Sequence, residues 1–293
     1  MTRIEQFGWR GAVEPGIGRV VSAHGDYYHL VCNEQPTGEI LARKKKSAFM
    51  RMKTVAPVNM KGKKISEERA ELPPQPLTGD FVKFRYNAQG ESMITEVLPR
   101  FSHFERKDPT AKRTSQTLAV NFDTLFVMMS LNENFSTARI RRYLDLAQDM
   151  GAAEVVVVIT KVDLRQDGDE EFFDELREEV GGAARILEIS SLTGEGMELV
   201  NEYVKPGKTL AFIGSSGVGK STLLNTLMGE EWQATQEIQE WSGKGRHTTT
   251  SRELVMLPSG AMVIDTPGIR EIGMVGEMDD LQAKGESTHR YRK

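Results

Sequence analysis

From Gly18 to Leu98 apolar and polar residues alternate in short runs separated by turn signals. Gly18 to Ser22, Tyr27 to Cys32, Glu39 to Ala42, Asp80 to Tyr86 and Met93 to Leu98 are rich in Val, Ile, Tyr and Phe, and each is predicted as a strand. Gly25-Asp26 and Asn87 to Gly90 read as hairpin turns. About five short strands with little helix predict a small N-terminal β-barrel, with the OB-fold as first candidate. The polar segment Lys53 to Pro76 is expected to be a mobile loop.

After Arg100 the period changes. Leu118 to Met129 is an apolar strand run, and Ser136 is placed to cap a helix that puts Ile140, Leu144 and Ala147 on one face. Glu154 to Thr160 is a continuous apolar strand, and Phe172, Leu176 and Val180 mark a second helix. Arg185 to Ile189, Thr209 to Ile213 and Met262 to Asp265 are further strands. Strands alternating with helices predict an α/β fold, a mostly parallel sheet with helices on both faces.

Composition narrows the setting. Of 293 residues, 39% are hydrophobic and 27% charged, the balance of a soluble globular chain of about two domains. The one cysteine, Cys32, allows no internal disulfide and is expected to be a buried, inert thiol. The cytoplasm is the expected compartment, with no leader, no membrane span and no membrane partner. The net charge of −4 is uneven: the first 105 residues carry about +4 and the remainder about −8. A basic first part suggests contact with a polyanion.

The chemistry begins at Gly214-Ser215-Ser216-Gly217-Val218-Gly219-Lys220-Ser221, a full match to G-x-x-x-x-G-K-[ST]. An apolar strand precedes it and a helical run, Thr222 to Met228, follows. Glycines let backbone N–H groups wrap phosphates, Lys220 reaches the β- and γ-phosphates, and Ser221 is a Mg²⁺ ligand. Thr222 opens the helix beside them. Asp265-Thr266-Pro267-Gly268 follows a strand, so Asp265 is expected near Mg²⁺ and the Gly268 amide at the γ-phosphate. Between them lies Gly245-Arg246-His247-Thr248-Thr249-Thr250, a candidate switch in which Thr249 or Thr250 completes the Mg²⁺ shell.

A phosphate loop does not choose the base. Thr160-Lys161-Val162-Asp163 is similar to the N-K-x-D signature, with Thr in place of Asn. The Asp163 carboxylate can accept both the N1–H and the 2-amino hydrogen of guanine, which adenine does not offer. Ser190 and Ser191, in the run Ser190 to Gly196, resemble the second base-contacting segment. Both segments precede the phosphate loop, the reverse of the usual order, and this points to a circularly permuted core. Many GTPases place Gln after D-x-x-G to orient water. Here that position is Ile269, and His247 is the candidate to act instead.

Taken together, T-K-V-D, G-S-S-G-V-G-K-S, G-R-H-T-T-T and D-T-P-G-I-R-E in this order resemble the circularly permuted small-subunit biogenesis GTPases, the RsgA or YjeQ family, over roughly residues 16–275. The resemblance implies a GTP/GDP and Mg²⁺ site, an OB-fold that binds rRNA, and hydrolysis stimulated by the small (30S) ribosomal subunit during its late maturation. It divides the chain into an RNA-binding barrel (1–105), the GTPase (106–276) and a tail (277–293). The family's usual zinc cluster of three Cys and one His is not expected here, because no Cys follows Cys32. A monomer is expected. The basic band Arg43, Lys44, Lys45, Lys46, Arg51, Lys53, Lys61, Lys63 and Lys64 is the candidate RNA contact, with Tyr27, Tyr28 and Phe49 as candidate stacking rings. The alternative is a nucleotide-gated RNA-binding assembly factor with little turnover of its own. A GTPase of tRNA modification or metal uptake is a third reading, disfavoured by the permuted order.

Overall fold

The computed structural model describes residues 1–49, 73–107, 115–132, 135–229 and 252–265. The Lys53–Pro76 loop expectation falls mostly outside them, as do Arg51, Lys53, Lys61, Lys63, Lys64, His247, Thr249, Thr250, Gly268, Ile269 and the tail.

A one-turn helix α1 (Arg3–Gln6) leads into β1 (Ile17–His24), β2 (Tyr27–Cys32), β3 (Ile40–Lys44), the short α2 (Lys46–Phe49), β4 (Phe81–Arg85) and β5 (Ser92–Val97). The strands close in the order β1-β2-β3-β5-β4-β1. All pairs are antiparallel except β3 with β5. This is the barrel predicted from the alternation. Its interior is filled by Val20, Leu30, Cys32, Ala42, Val82, Phe84 and Ile94. Tyr28 and Phe49 also point inward and are buried in that core, so the expectation that they stack bases is corrected. The period of two along β2 explains it: Tyr27 faces out, and its neighbour Tyr28 must face in.

β6 (His103–Lys107) and β7 (Ser115–Val120) form a separate antiparallel hairpin. Then come β8 (Thr124–Ser130), α3 (Thr137–Ala147), β9 (Glu154–Thr160), a 3₁₀ turn at Val162–Leu164, α4 (Glu170–Val180), β10 (Arg185–Ile189), α5 (Met197–Val200), β11 (Thr209–Ile213), α6 (Lys220–Met228), β12 (Glu253–Met256) and β13 (Met262–Asp265). Ser136 caps α3, its hydroxyl accepting from the Arg139 amide at 3.2 Å. The single strand expected over Leu118 to Met129 is in fact two. Asn121 adopts φ 53°, a left-handed conformation that ends β7 before β8 begins.

The sheet runs β10-β9-β8-β11-β13-β12, parallel except for β12. Alternate residues of each strand feed two cores. Leu125, Val127, Val157, Ile159, Ala211 and Ile264 meet α3 and α4 through Ile140, Tyr143, Phe173 and Leu176. Phe126, Met128, Val156, Val158, Phe212 and Val263 meet α5 and α6 through Val200, Leu223 and Leu224. Helices therefore cover both faces, and continuous apolar strands are what a two-sided parallel sheet requires.

Barrel and sheet share one strand. β1 pairs with β12 at Ser22 and Glu253, so a single ladder runs from β10 into the barrel. Ile17 to Val21 are all buried because Val20 fills the barrel while Val21 joins the core beneath Leu254 and Ile264. At this seam lies Arg19, 1% exposed. It donates to the carbonyls of Phe7 (2.6 Å), Asn121 (2.9 Å) and Gly79 (3.3 Å) and to the Thr209 hydroxyl (3.0 Å). Its guanidinium stacks 4.8 Å from the Phe81 ring. Burial pushes its pKa down to about 9, with Asp123 and Asp80 opposing the shift, so Arg19 is cationic at neutral pH. Beside it the buried Asp80 accepts two bonds from Arg100, both 2.8 Å, and one from the Leu77 amide.

Candidate functional site

The parallel strands place four loops along one edge of the sheet. The segments after β9 and β10, the glycine-rich loop after β11 and Asp265 at the end of β13 all leave from C-terminal strand ends, where open α/β sheets bind ligands. The two candidate base segments and the phosphate loop, far apart and reversed in sequence, thus come together through strand order.

The loop from Gly214 to Gly219 joins β11 to α6. Gly214 has φ 154°, and a Cβ there would lie 2.5 Å from the Met128 carbonyl, so the loop can hug β8 only with glycine at this position. Val218 is buried and anchors the loop in the lower core, while Ser216, Gly217, Ser221 and Thr222 are exposed. Lys220 opens α6 and curls over its own loop, its ammonium donating to the carbonyls of Gly214 (2.5 Å) and Ser215 (2.6 Å). The N-terminus of a nine-residue helix thus faces the same space as a lysine and exposed hydroxyls, a combination suited to phosphate.

Thr160, the residue in place of Asn, is 3% exposed. Its hydroxyl donates to the Val218 carbonyl at 2.7 Å, tying the end of β9 to the phosphate loop. A threonine at the strand terminus reaches this carbonyl directly, so the departure from the signature leaves the two segments joined. Lys161 follows with φ 62°, a left-handed conformation unusual for a side chain with a Cβ. The turn it makes sets Asp163 on the surface, where one carboxylate oxygen accepts the Ser190 hydroxyl at 2.5 Å. Ser190 is fully buried, and its oxygen also accepts the amides of Leu192 and Thr193, each at 3.2 Å. Gly196 closes the turn: a Cβ there would sit 2.1 Å from the Glu188 carbonyl. Ser191 is half-buried next to Ser190.

Asp265 is described in its backbone alone. Ala211 pairs with Ile264, so the chain leaves β13 beside the strand that enters the phosphate loop. The barrel's candidate partner surface is partly in view. Arg43 lies 4.2 Å over the Tyr27 ring and pairs with Glu91, and Lys44 pairs with Asp26. Lys45 and Lys46 are exposed.

Sequence reasoning missed the seam. Arg19, Asp80, Arg100 and Asn121 carry no motif, and their signal is only structural: Arg19, Asp80 and Asn121 are fully buried, Arg100 is partly buried, and their polar groups are hydrogen-bonded.

Comparison with known proteins adds to this geometry. The family described as RsgA GTPase matches residues 97–275. A protein of Leptospira interrogans named small ribosomal subunit biogenesis GTPase RsgA is 42% identical over 209 residues, which cover 70% of this chain and 57% of the relative. The chain therefore spans little more than half of that relative's length. Small ribosomal subunit biogenesis GTPase RsgA 2 of Lactiplantibacillus plantarum is 38% identical over 271 residues, covering 92% of this chain and 70% of the relative. The crystal structure of YjeQ from Thermotoga maritima superposes with a TM-score of 0.58 at 27% identity, covering 86% of this chain and 74% of that one. YloQ, described as a circularly permuted GTPase, superposes with a TM-score of 0.54 at 22% identity, covering 88% and 74%, a likeness of fold.

Proposed function

The chain belongs to the RsgA GTPase family, and from that premise we propose that it binds GTP, hydrolyses it to GDP and phosphate, and acts in late maturation of the small ribosomal subunit. One observation carries the reading: Thr160 and Asp163 of the base segments, Ser190 across from them and the phosphate loop are joined by direct hydrogen bonds, Thr160 to Val218 and Ser190 to Asp163. These bonds hold the base segments to each other and to the phosphate loop, which supports a nucleotide with its base at Asp163 and its phosphates at Gly214 to Ser221.

In the proposed reaction water attacks the γ-phosphorus in line, and the bond to the β–γ bridging oxygen breaks. Lys220 leaves its loop carbonyls for the phosphate oxygens and offsets the charge that develops there. Mg²⁺ takes hard oxygen ligands. The exposed Ser221 hydroxyl and Asp265 at the end of β13 suit it, with Thr249 or Thr250 completing the shell, and the ion when bound neutralises phosphate charge. His247 is proposed to act on the water, since Ile269 has no polar group to orient it, and the Gly268 amide to contact the γ-phosphate. Ser191 and Thr222 contact base and phosphate through their backbones.

We assign 1–105 to the RNA-facing barrel, 106–276 to the GTPase and 277–293 to a tail. The partner is the small subunit and its rRNA, met by Tyr27, Arg43 and the lysines after it. Among the described residues no helix is long and apolar enough to cross a membrane. A cytoplasmic monomer is the proposed state. GTP turnover with and without purified small subunits tests the proposal. Strong stimulation supports it, binding without stimulation favours a nucleotide-gated RNA-binding factor, and neither would reject it.

A further inference from the structure

Glu188 stands two residues before Ser190 and is held by two arginines. Leu187 and Ile189 on either side of it enter the core shared with α5 and α6, so the period of two turns Glu188 toward α4. There Arg177 of α4 donates to one carboxylate oxygen at 3.0 Å, and Arg165 donates to the other. Arg165 is the residue that leaves the 3₁₀ turn carrying Asp163, its amide donating to the Val162 carbonyl at 3.0 Å. Its guanidinium lies 4.2 Å from the ring centroid of the buried Phe173. The two base segments are therefore joined twice, Ser190 to Asp163 and Arg165 to Glu188, which closes a ring through four residues. As a stability device the pair is poor. The Arg165 Nε is buried without a hydrogen-bond partner among the described residues, a cost that a fully exposed arginine would avoid.

We propose that Arg165 is a positioning residue for the base site: its bond to Glu188 holds the Asp163 carboxylate at the angle that meets two guanine hydrogens at once. The inference rests on the guanine reading of Asp163 and deepens it. The Ser190 hydroxyl fixes one carboxylate oxygen of Asp163, and a single bond leaves the side chain free to swing about it. The turn does not hold itself, because Lys161 opens it at φ 62°, an unfavourable conformation for a residue with a Cβ. Arg165 pins the far end of that turn to β10, the strand from which Ser190 leaves. Without the pin, Asp163 can still accept one hydrogen bond from a base, but two cannot be aligned together.

Titration of the full chain with GDP, IDP, ADP and inorganic pyrophosphate, for wild type, Arg165→Met, Arg165→Lys and Arg177→Met, tests this. IDP lacks the 2-amino group and offers Asp163 only its N1–H. Arg165→Met is expected to weaken GDP about tenfold and IDP about threefold, with ADP and pyrophosphate unchanged. Arg165→Lys should bind GDP within about twofold of wild type, since it replaces one bond rather than a bidentate fork. Arg177→Met takes the other arginine from Glu188 and leaves the Arg165 bond in place, so its GDP-to-IDP ratio should match wild type. An equal loss of GDP and IDP in Arg165→Met, no loss at all, or the same fall in ratio for Arg177→Met overturns the positioning role and leaves the guanine reading standing. Wild type binding ADP as tightly as GDP removes the guanine reading and the inference with it. Glu188→Met deletes the acceptor from the other side and should lower the same ratio, so the link is read even where Arg165→Met fails to fold. An unchanged ratio in Glu188→Met also overturns the role.

Discussion

The edge that carries Lys220 and the seam that buries Arg19 are both clusters of polar groups on the same β11, at its two ends, and they are built on opposite rules. At the seam the cation is enclosed and its donors are used on Phe7, Gly79, Asn121 and Thr209. At the edge the polar groups either stand exposed, as Asp163, Ser221 and Thr222 do, or rest on carbonyls of their own loop, as Lys220 does. Burying a charge demands that each donor find an acceptor. Binding an anion demands donors that can be redirected at little cost. The difference separates a cluster that joins barrel and sheet from one suited to an anionic ligand.

The comparison breaks most severely at the seam. Arg19→Met leaves several carbonyls without donors and is expected to cost about 3–5 kcal/mol of stability. Chemical denaturation reads this, and a variant as stable as wild type would show that the enclosed cation contributes nothing net. Lys220→Ala tests the other end. GTP turnover should fall about a hundredfold or more with the denaturation midpoint little changed. An equal loss of stability would mean that Lys220 is a structural residue like Arg19.

Thr160→Val sharpens the boundary between the two rules, because Thr160 is buried like a seam residue but serves the edge. Removing its hydroxyl leaves the Val218 carbonyl short of a donor and should weaken GDP by about tenfold, with Thr160→Ser restoring most of it. No rescue by serine would place the effect in packing instead. The smallest effect is expected in the barrel core. Burial raises the Cys32 thiol pKa above its ordinary value, so less of the reactive thiolate is present than in a free thiol at the same pH. Iodoacetamide at pH 8 should leave native protein unmodified and label it fully after denaturation. Rapid native labelling would show that the barrel opens readily.

Much of this fold was legible in the pattern. β2, β9, β10 and β11 begin and end where alternation or apolar runs predict, because at least one face of each strand is buried over most of its length. The phosphate loop was legible because its glycines, lysine and hydroxyl are local chemistry. The seam was not. Arg19 in Ile17-Gly18-Arg19-Val20-Val21 reads as the polar residue of an alternating strand, and only a partner surface supplied by Asn121, Thr209 and Met262 turns it inward. β12 escaped notice for a related reason: it is four residues long and owes its place to flanking β1 and β13. Tyr28 and Phe49 look like binding aromatics until the strand period or the core assigns them.

The Arg19 contacts also set an order on synthesis. The barrel strands are complete once Val97 has emerged, but Arg19 meets Thr209 and Met262 only 190 and 243 residues after itself. At roughly 5–20 residues per second, that is a wait of about 10–50 s on the ribosome. Through that interval Arg19 lacks two of the partners that enclose it in the finished molecule. The last contacts of the seam therefore form only after β11 and β13 have been made.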